Sequence, residues 1–188
     1  MKDDKDVVLA TVTEYGETLQ YASARLRNDR EVVFAAVRQN GEAIKYASEE
    51  LRDNREIVML SVLNNGDYFE YASAKLRDNR ELVLAVIRQH ANAFNYASER
   101  LFNDREFVLV AIQNGAILSG ILDEKYRNDR ELVLEGVRRS GWTLQYASER
   151  LRNDRDVVME AVREYPAAIE YASDQLRWDS EIRRLGRR

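Results

Sequence analysis

No cysteine occurs among the 188 residues, which removes a disulfide framework and any thiolate metal site and makes a reducing compartment the easier home. There is one histidine, His90. With no second histidine and no partner at suitable spacing, neither a metal site nor a nucleophile–base pair assembles around it, and it reads as a solvated turn residue. No apolar run approaches the ~20 residues that cross a bilayer. The start, Met1-Lys2-Asp3-Asp4-Lys5, lacks the apolar region of a secretory signal. The eight glycines form no phosphate-cradling loop of the usual spacing. Positive charge is outweighed: the formal net charge is −4, and Arg183, Arg184, Arg187 and Arg188 crowd the C-terminus, so the body is more acidic still. An acidic body is a poor start for a phosphate-backbone binder. A cytoplasmic chain with no membrane span, no cofactor, no metal and no catalytic set is expected.

What the chain does have is repetition. Tyr-Ala-Ser recurs at Tyr21, Tyr46, Tyr71, Tyr96, Tyr146 and Tyr171 in a frame of 25 residues, and only the slot at Ile121 departs from it. A fixed period in the range of about 20–50 residues marks a stacked array in which each repeat closes its core against its neighbours. Residues 1–188 therefore read as one α-solenoid repeat domain of seven helix–turn–helix repeats, followed by a truncated start at Ser180-Glu181-Ile182 that serves as a C-terminal cap.

One repeat, Asn28 to Arg52, serves as the model. It opens Asn28-Asp29-Arg30-Glu31, and Asn28 with Glu31 predicts a capping-box-like helix start that recurs at each repeat, with Asp3 and Asp6 supplying the first. The helix carries Val33 and Val37, an i, i+4 pair. Leucine-rich repeats, which pair a strand with a helix, share a similar period. Here their alternating leucines and asparagine are missing, while Ala35 and Ala36 favour helix. Asn40-Gly41, matched by Tyr165-Pro166, marks a helix–helix turn, with glycine leaving the helix through a left-handed conformation. A second helix of about ten residues then carries Ile44, Ala47 and Leu51 as one apolar stripe.

The recurrent polar residues have competing readings. Arg30, Arg55, Arg80, Arg105, Arg130 and Arg155 stand in the first turn of their helices, where the dipole disfavours a cation. A tertiary partner must favour them: an acid of the next layer, as in the Glu31 and Glu56 class, or a tyrosine ring. The ladder is an inter-repeat strut on this reading and a reader of phosphates on the other. The tyrosines could each stack a base, but the monotony of Tyr-Ala-Ser favours packing, with the hydroxyl bonded across the stack and the Ser23-type hydroxyl returned to a carbonyl one turn back. Carboxylates are numerous, but caps and exposed faces account for them.

Departures from the frame are more informative than the frame itself, with drift, tolerated as a kink in the rod, as the bland reading of the fifth repeat. Asn114–Ile121 loses the tyrosine and gains Gly120, while Tyr126 takes the slot of Leu26. Glu17, Glu42, Asp67 and Asn92 give way to Ile117, Trp142 and Ala167 in the first turn of the second helix. Arg138, Arg139 and Arg163 end the preceding helices, and a tryptophan among arginines has the composition of an interface anchor. Trp142, Ile117, Arg138, Arg139 and Arg163 are therefore candidate partner-binding residues; the alternative is that Trp142 covers a gap beside the irregular fifth repeat. The first helix (Val7, Val8, Leu9, Val12) lacks the polar outer face of a terminal cap, which favours a longer array or end-to-end self-association.

The string Tyr-Ala-Ser-x-x-Leu-Arg-(Asn/Asp)-(Asp/Asn)-Arg-Glu-x-Val resembles the tandem repeats of the family called domain of unknown function 4116, from Lys5 to Glu181. The resemblance implies an accessory array of the kind found in bacterial, protist and large-virus proteins, and it carries over no catalytic residues. The expected function is a non-enzymatic repeat scaffold that binds another protein through an extended surface. The alternative is a helical repeat protein that binds nucleic acid through the arginine ladder.

Overall fold

The computed structural model describes residues 2–116 and 124–186. It is an all-α solenoid of tandem repeats, with no strand among the described residues. Val32–Val37, the segment a leucine-rich repeat would make a strand, lies within the helix Arg30–Gln39. The chain divides into two compact bodies, Met1–Arg100 and Leu101–Arg188. In the N-terminal body the long helices are Lys5–Glu14, Arg30–Gln39, Arg55–Ser61 and Arg80–Ile87. In the C-terminal body they are Arg105–Gln113, Arg130–Arg139, Arg155–Glu164 and the short Ser180–Leu185. In the N-terminal body Arg30–Gln39 packs against both Lys5–Glu14 and Arg55–Ser61, and in the C-terminal body consecutive long helices pack side by side.

The capping register differs from the expected one by a residue. Asp29, not Asn28, is the N-cap: its Oδ1 accepts from the amides of Glu31 at 3.0 Å and Val32 at 3.2 Å. Asn54, Asp129, Asp154 and Asp179 likewise accept from two amides of their own helices, and Asp4, Asn79 and Asp104 from one. The acid two residues on is therefore too close to the cap to fold back onto it as a capping box would, and it turns to a neighbouring repeat instead. Asn28 has a different task, described below.

The second helical segment comes in two pieces. A six-residue 3₁₀ helix, Gly41–Tyr46, stops at Ala47 and Ser48, both extended, and a single α-turn, Glu49–Arg52, follows. The same division occurs at Gly16–Tyr21 with Ala24–Arg27, at Gly66–Tyr71 with Ala74–Arg77, at Gly141–Tyr146 with Glu149–Arg152, and at Pro166–Tyr171 with Asp174–Arg177. The apolar stripe survives the break because all its members stay inside: Ile44, Ala47 and Leu51 are buried, as are Leu144, Ala147 and Leu151.

The turn glycines are not left-handed. Among the described residues only Gly115, where the fifth repeat turns irregular, has a positive φ, 101°. Gly41 is needed for proximity instead. A Cβ there would collide with the carbonyl oxygen of Ser61, the next long helix passing over the turn, and Gly141 stands in the same relation to Ala161. Interior long helices bury three to five residues each, four in the case of Val32, Val33, Ala36 and Val37, or Val157, Val158, Ala161 and Val162.

Candidate functional site

The arginine ladder runs along an exposed face of the long helices, and acids of the next repeat hold Arg30, Arg105, Arg130 and Arg155, while Arg55 has no ion pair among the described residues. Arg105 donates from Nε to Asp129 and from its terminal nitrogen to Glu131, both at 2.6 Å. Arg130 bonds Asp154 and Asp156, each at 2.8 Å. Arg155 reaches Glu181, and Arg30 reaches Glu56. Lys5 fills the slot in the first repeat and lies 2.8 Å from both Asp29 and Glu31. The cap residue thus serves twice, holding its own helix start and receiving a cation. Arg105 holds the Asp129 carboxyl below the usual carboxylate range against the opposing effect of burial, and Arg130 does the same to Asp154.

Tyr-Ala-Ser makes a clasp between repeats. In all six copies the serine hydroxyl donates to the Asn28-type residue twenty positions earlier: Ser23 to Asp3, Ser48 to Asn28, Ser73 to Asp53, Ser98 to Asp78, Ser148 to Asn128 and Ser173 to Asn153. The serine amide donates to the carbonyl just before that residue; Ser148 to Arg127 is 2.8 Å and Ser173 to Arg152 is 2.9 Å. Ser148 Oγ also accepts from the amide of Leu151 at 3.3 Å, capping the short helix. The expected return of this hydroxyl to a carbonyl one turn back does not occur, because two extended residues point it at the neighbouring repeat.

The tyrosines edge the 3₁₀ helices. Tyr21 is 61% exposed, while Tyr46, Tyr71, Tyr96, Tyr146 and Tyr171 are half-buried. Bonding across the stack holds for Tyr96, whose hydroxyl donates to Asp67 Oδ1 at 3.0 Å beside Asn92 Nδ2 at 2.6 Å. Burial, followed by that bond, pushes the Tyr96 pKa up to about 12. Lys45 sits 5.0 Å from the centre of the Tyr46 ring while bonding Glu42. His90 stands in its turn with Nε2 3.3 Å from the Leu63 carbonyl oxygen. Among the described residues no group of three or more His, Cys, Asp or Glu side chains is arranged to hold a metal ion.

The candidate patch divides between two surfaces. Trp142 is half-buried on a 3₁₀ helix with its ring edge-on to Tyr146, 5.7 Å between centroids. Arg138 and Arg163 line a groove with Leu134 and Met159 and converge on one carboxylate, Glu160. Arg139 pairs with Glu135 at 3.5 Å and donates to the Gln113 carbonyl. Ile117 lies outside the described residues.

Two features escape the sequence reading. Half-buried Arg27, Arg52, Arg77, Arg152 and Arg177 hold an Nε that is buried without a hydrogen-bond partner; in Arg127 the same atom donates to the Tyr146 carbonyl at 2.9 Å. The recurrent Leu-Arg pairing, broken only at Leu101-Phe102 and Tyr126-Arg127, signals that slot in the sequence but not its burial. The other feature is a row of half-buried apolar residues, Leu9, Phe34 and Met59, one per long helix on the ladder's face. A groove of about 520 Å³ between the first two helices is lined by Leu9, Thr13, Arg30, Phe34 and Arg38. Leu63, 56% exposed, extends the row into a slot that Arg38 and Arg88 fill in neighbouring repeats.

No curated protein and no solved structure matches the chain. The family model described as domain of unknown function 4116 matches residues 4–52, 29–77, 54–102, 79–127 and 129–177, each match taking in two consecutive repeats. The first four matches step by one repeat, the fifth follows two repeats on, and together they cover most of the sequence: the chain belongs to the domain of unknown function 4116 family.

Proposed function

We propose that the chain is a non-enzymatic scaffold that binds another protein along the exposed face of its long helices. The observation that carries this reading is the apolar row Leu9, Phe34 and Met59 with its exposed extension at Leu63, set beside Arg38 and Arg88, which are exposed and carry no ion pair among the described residues. Aliphatic and aromatic side chains interleaved with arginine are the composition of protein interfaces. The nucleic-acid alternative loses support from the same geometry. A phosphate-reading ladder needs free guanidinium groups, whereas Arg30, Arg105, Arg130 and Arg155 are already held by carboxylates.

The test is affinity capture from a source-organism lysate with wild type beside Leu63→Asp and Trp142→Ala. Leu63 is exposed, so its substitution leaves the fold intact within about 0.5 kcal/mol. A partner held by wild type and by Trp142→Ala but lost by Leu63→Asp supports the long-helix face. Equal recovery on all three discards that face, and steeply salt-dependent binding of RNA or DNA replaces the proposal with its alternative.

A further inference from the structure

The exposed face of the long helices in the N-terminal body has a cross-section that selects its partner. In the second to fourth repeats three slots recur along this face, four residues apart: Arg30, Phe34 and Arg38; Arg55, Met59 and Leu63; Arg80, Leu84 and Arg88. The middle slot is apolar each time and makes a floor between two banks. Arg30 and Arg38 belong to one helix, Arg30–Gln39, and their separation along its axis is about 12 Å. An α-helix is about 10 Å across with its side chains, so the trough has the width of one.

The banks differ in charge. On the ladder side each arginine is followed by a glutamate, Glu31, Glu56 or Glu81, and Arg30 is held by Glu56. On the other side Arg38 and Arg88 are followed by Gln39 and Gln89, and Leu63 by Asn64, so no carboxylate accompanies them in sequence. Arg38 and Arg88 are exposed, and neither guanidinium makes an ion pair or hydrogen bond among the described residues. Packing brings this bank together. The Ser61 carbonyl lies over Gly41, just beyond Arg38, and His90, just beyond Arg88, holds its Nε2 3.3 Å from the Leu63 carbonyl oxygen.

The floor decides what can lie in the trough. Phe34 and Met59 are half-buried and offer no strong donor or acceptor. An extended peptide laid over them would leave its backbone N–H and C=O groups facing apolar side chains, a loss unless each is paired. A helix has already paired its own and presents side chains alone. Nucleic acid needs cations beneath its phosphates, and the floor has none. Neighbouring helices pack about 8–10 Å apart, a step that about seven residues of a helix cover.

We propose that this trough binds an acidic amphipathic α-helix of another protein. The helix lies across the long helices with its apolar stripe on Phe34 and Met59. Its carboxylates run along the edge that meets Arg38 and Arg88, with an apolar residue between them for Leu63. This rests on the protein-binding reading of the long-helix face and adds the partner's secondary structure, its charge and the edge that carries it.

The probe is a fluorescein-labelled synthetic peptide of about three heptads, with leucine along one stripe and glutamate along one edge. It is titrated with the full chain and followed by anisotropy. One comparison peptide carries lysine for each glutamate, and another has the same residues in scrambled order. The glutamate helix should bind about tenfold more tightly than either. Arg38→Glu together with Arg88→Glu should weaken it by about tenfold and strengthen the lysine helix in return. Both arginines are exposed and unpartnered, so this variant keeps the wild-type fold, which circular dichroism checks. The proposal is overturned if the glutamate helix does not bind, binds no better than either comparison peptide, or ignores the double reversal. It is overturned too if a labelled single-stranded oligonucleotide binds instead and is lost with the same two arginines. The wider reading fails separately, when lysate capture is equal for wild type and Leu63→Asp. A partner lost with Leu63→Asp but kept by the double reversal overturns the acidic helix alone.

Discussion

Replacing Ser148 with alanine should cost the C-terminal body about 1–3 kcal/mol. Three bonds at this residue make the clasp and the cap: Oγ donates to Asn128 Oδ1 at 2.8 Å, Oγ accepts from the Leu151 amide at 3.3 Å, and the backbone amide donates to the Arg127 carbonyl at 2.8 Å. Alanine removes the first two and keeps the third. A lost N-cap is worth about 0.5–2 kcal/mol, and a neutral side-chain hydrogen bond about 0.5–1.5 kcal/mol. Urea unfolding followed by circular dichroism reads the loss as a lower midpoint at unchanged slope. Ser140→Ala is the control, since the Ser140 side chain caps nothing, and it should stay within about 0.5 kcal/mol of wild type. Asn128→Ala with the double variant closes a cycle, and the two sites should couple by at least about 0.5 kcal/mol. Asn128 also accepts from Arg150 Nε at 2.8 Å, so its single variant loses more than the shared bond alone. A Ser148→Ala loss no larger than the control's, or a coupling of zero, would refute the clasp.

Other expectations follow from the same geometry. Asp154, its pKa lowered by Arg130, contributes stability that is full above the unfolded carboxylate value near 3.9 and disappears as pH falls through the lower folded value. Asp154→Asn keeps a capping side chain, as Asn54 does in its own repeat, so it should flatten that acid-side loss while changing stability little once the pH is below the folded value; thermal melts across the acid range check this. Gly41→Ala forces a Cβ against the Ser61 carbonyl and should destabilise the N-terminal body by about 1–3 kcal/mol, whereas Ala85→Gly on a half-exposed helix position should cost only about 1 kcal/mol; chemical unfolding of the two variants gives the order. Tyr96, raised to about 12, should ionise at a lower pH in Asp67→Asn, as followed by tyrosinate absorbance. Its raised pKa stabilises the fold below the unfolded value near 10, and that contribution fades as pH climbs through the folded one.

Much of the fold was legible because repetition averages out local ambiguity. One apolar pair at i, i+4 suits a helix or a strand, but the Val33/Val37 pattern recurring in frame with alanines and caps leaves only the helix, and Arg30–Gln39 is one. The ladder was legible through a contradiction, since a cation at a helix start needs an outside partner, and Glu56 and Glu131 are such partners. The cap register was misread because Asn28 and Asp29 are chemically equivalent as caps. Only the position of the serine from twenty residues later separates them. The candidate residues were chosen from composition, and composition does not say that Arg138 and Arg163 share Glu160 or that the Trp142 ring stands edge-on to Tyr146.

By itself the sequence determined the period, the helical class, the slots that go inside and the family, because these depend on spacing and side-chain type within one repeat. Tertiary structure alone decided that the second segment breaks at Ala47-Ser48, that Gly41 serves proximity rather than a left-handed turn, and that the Ser48-type hydroxyl reaches the preceding repeat. The physical reason is common to all three. Each is set by what a neighbouring repeat places within bonding distance, and a hydroxyl or a missing Cβ takes its meaning from the atom opposite it.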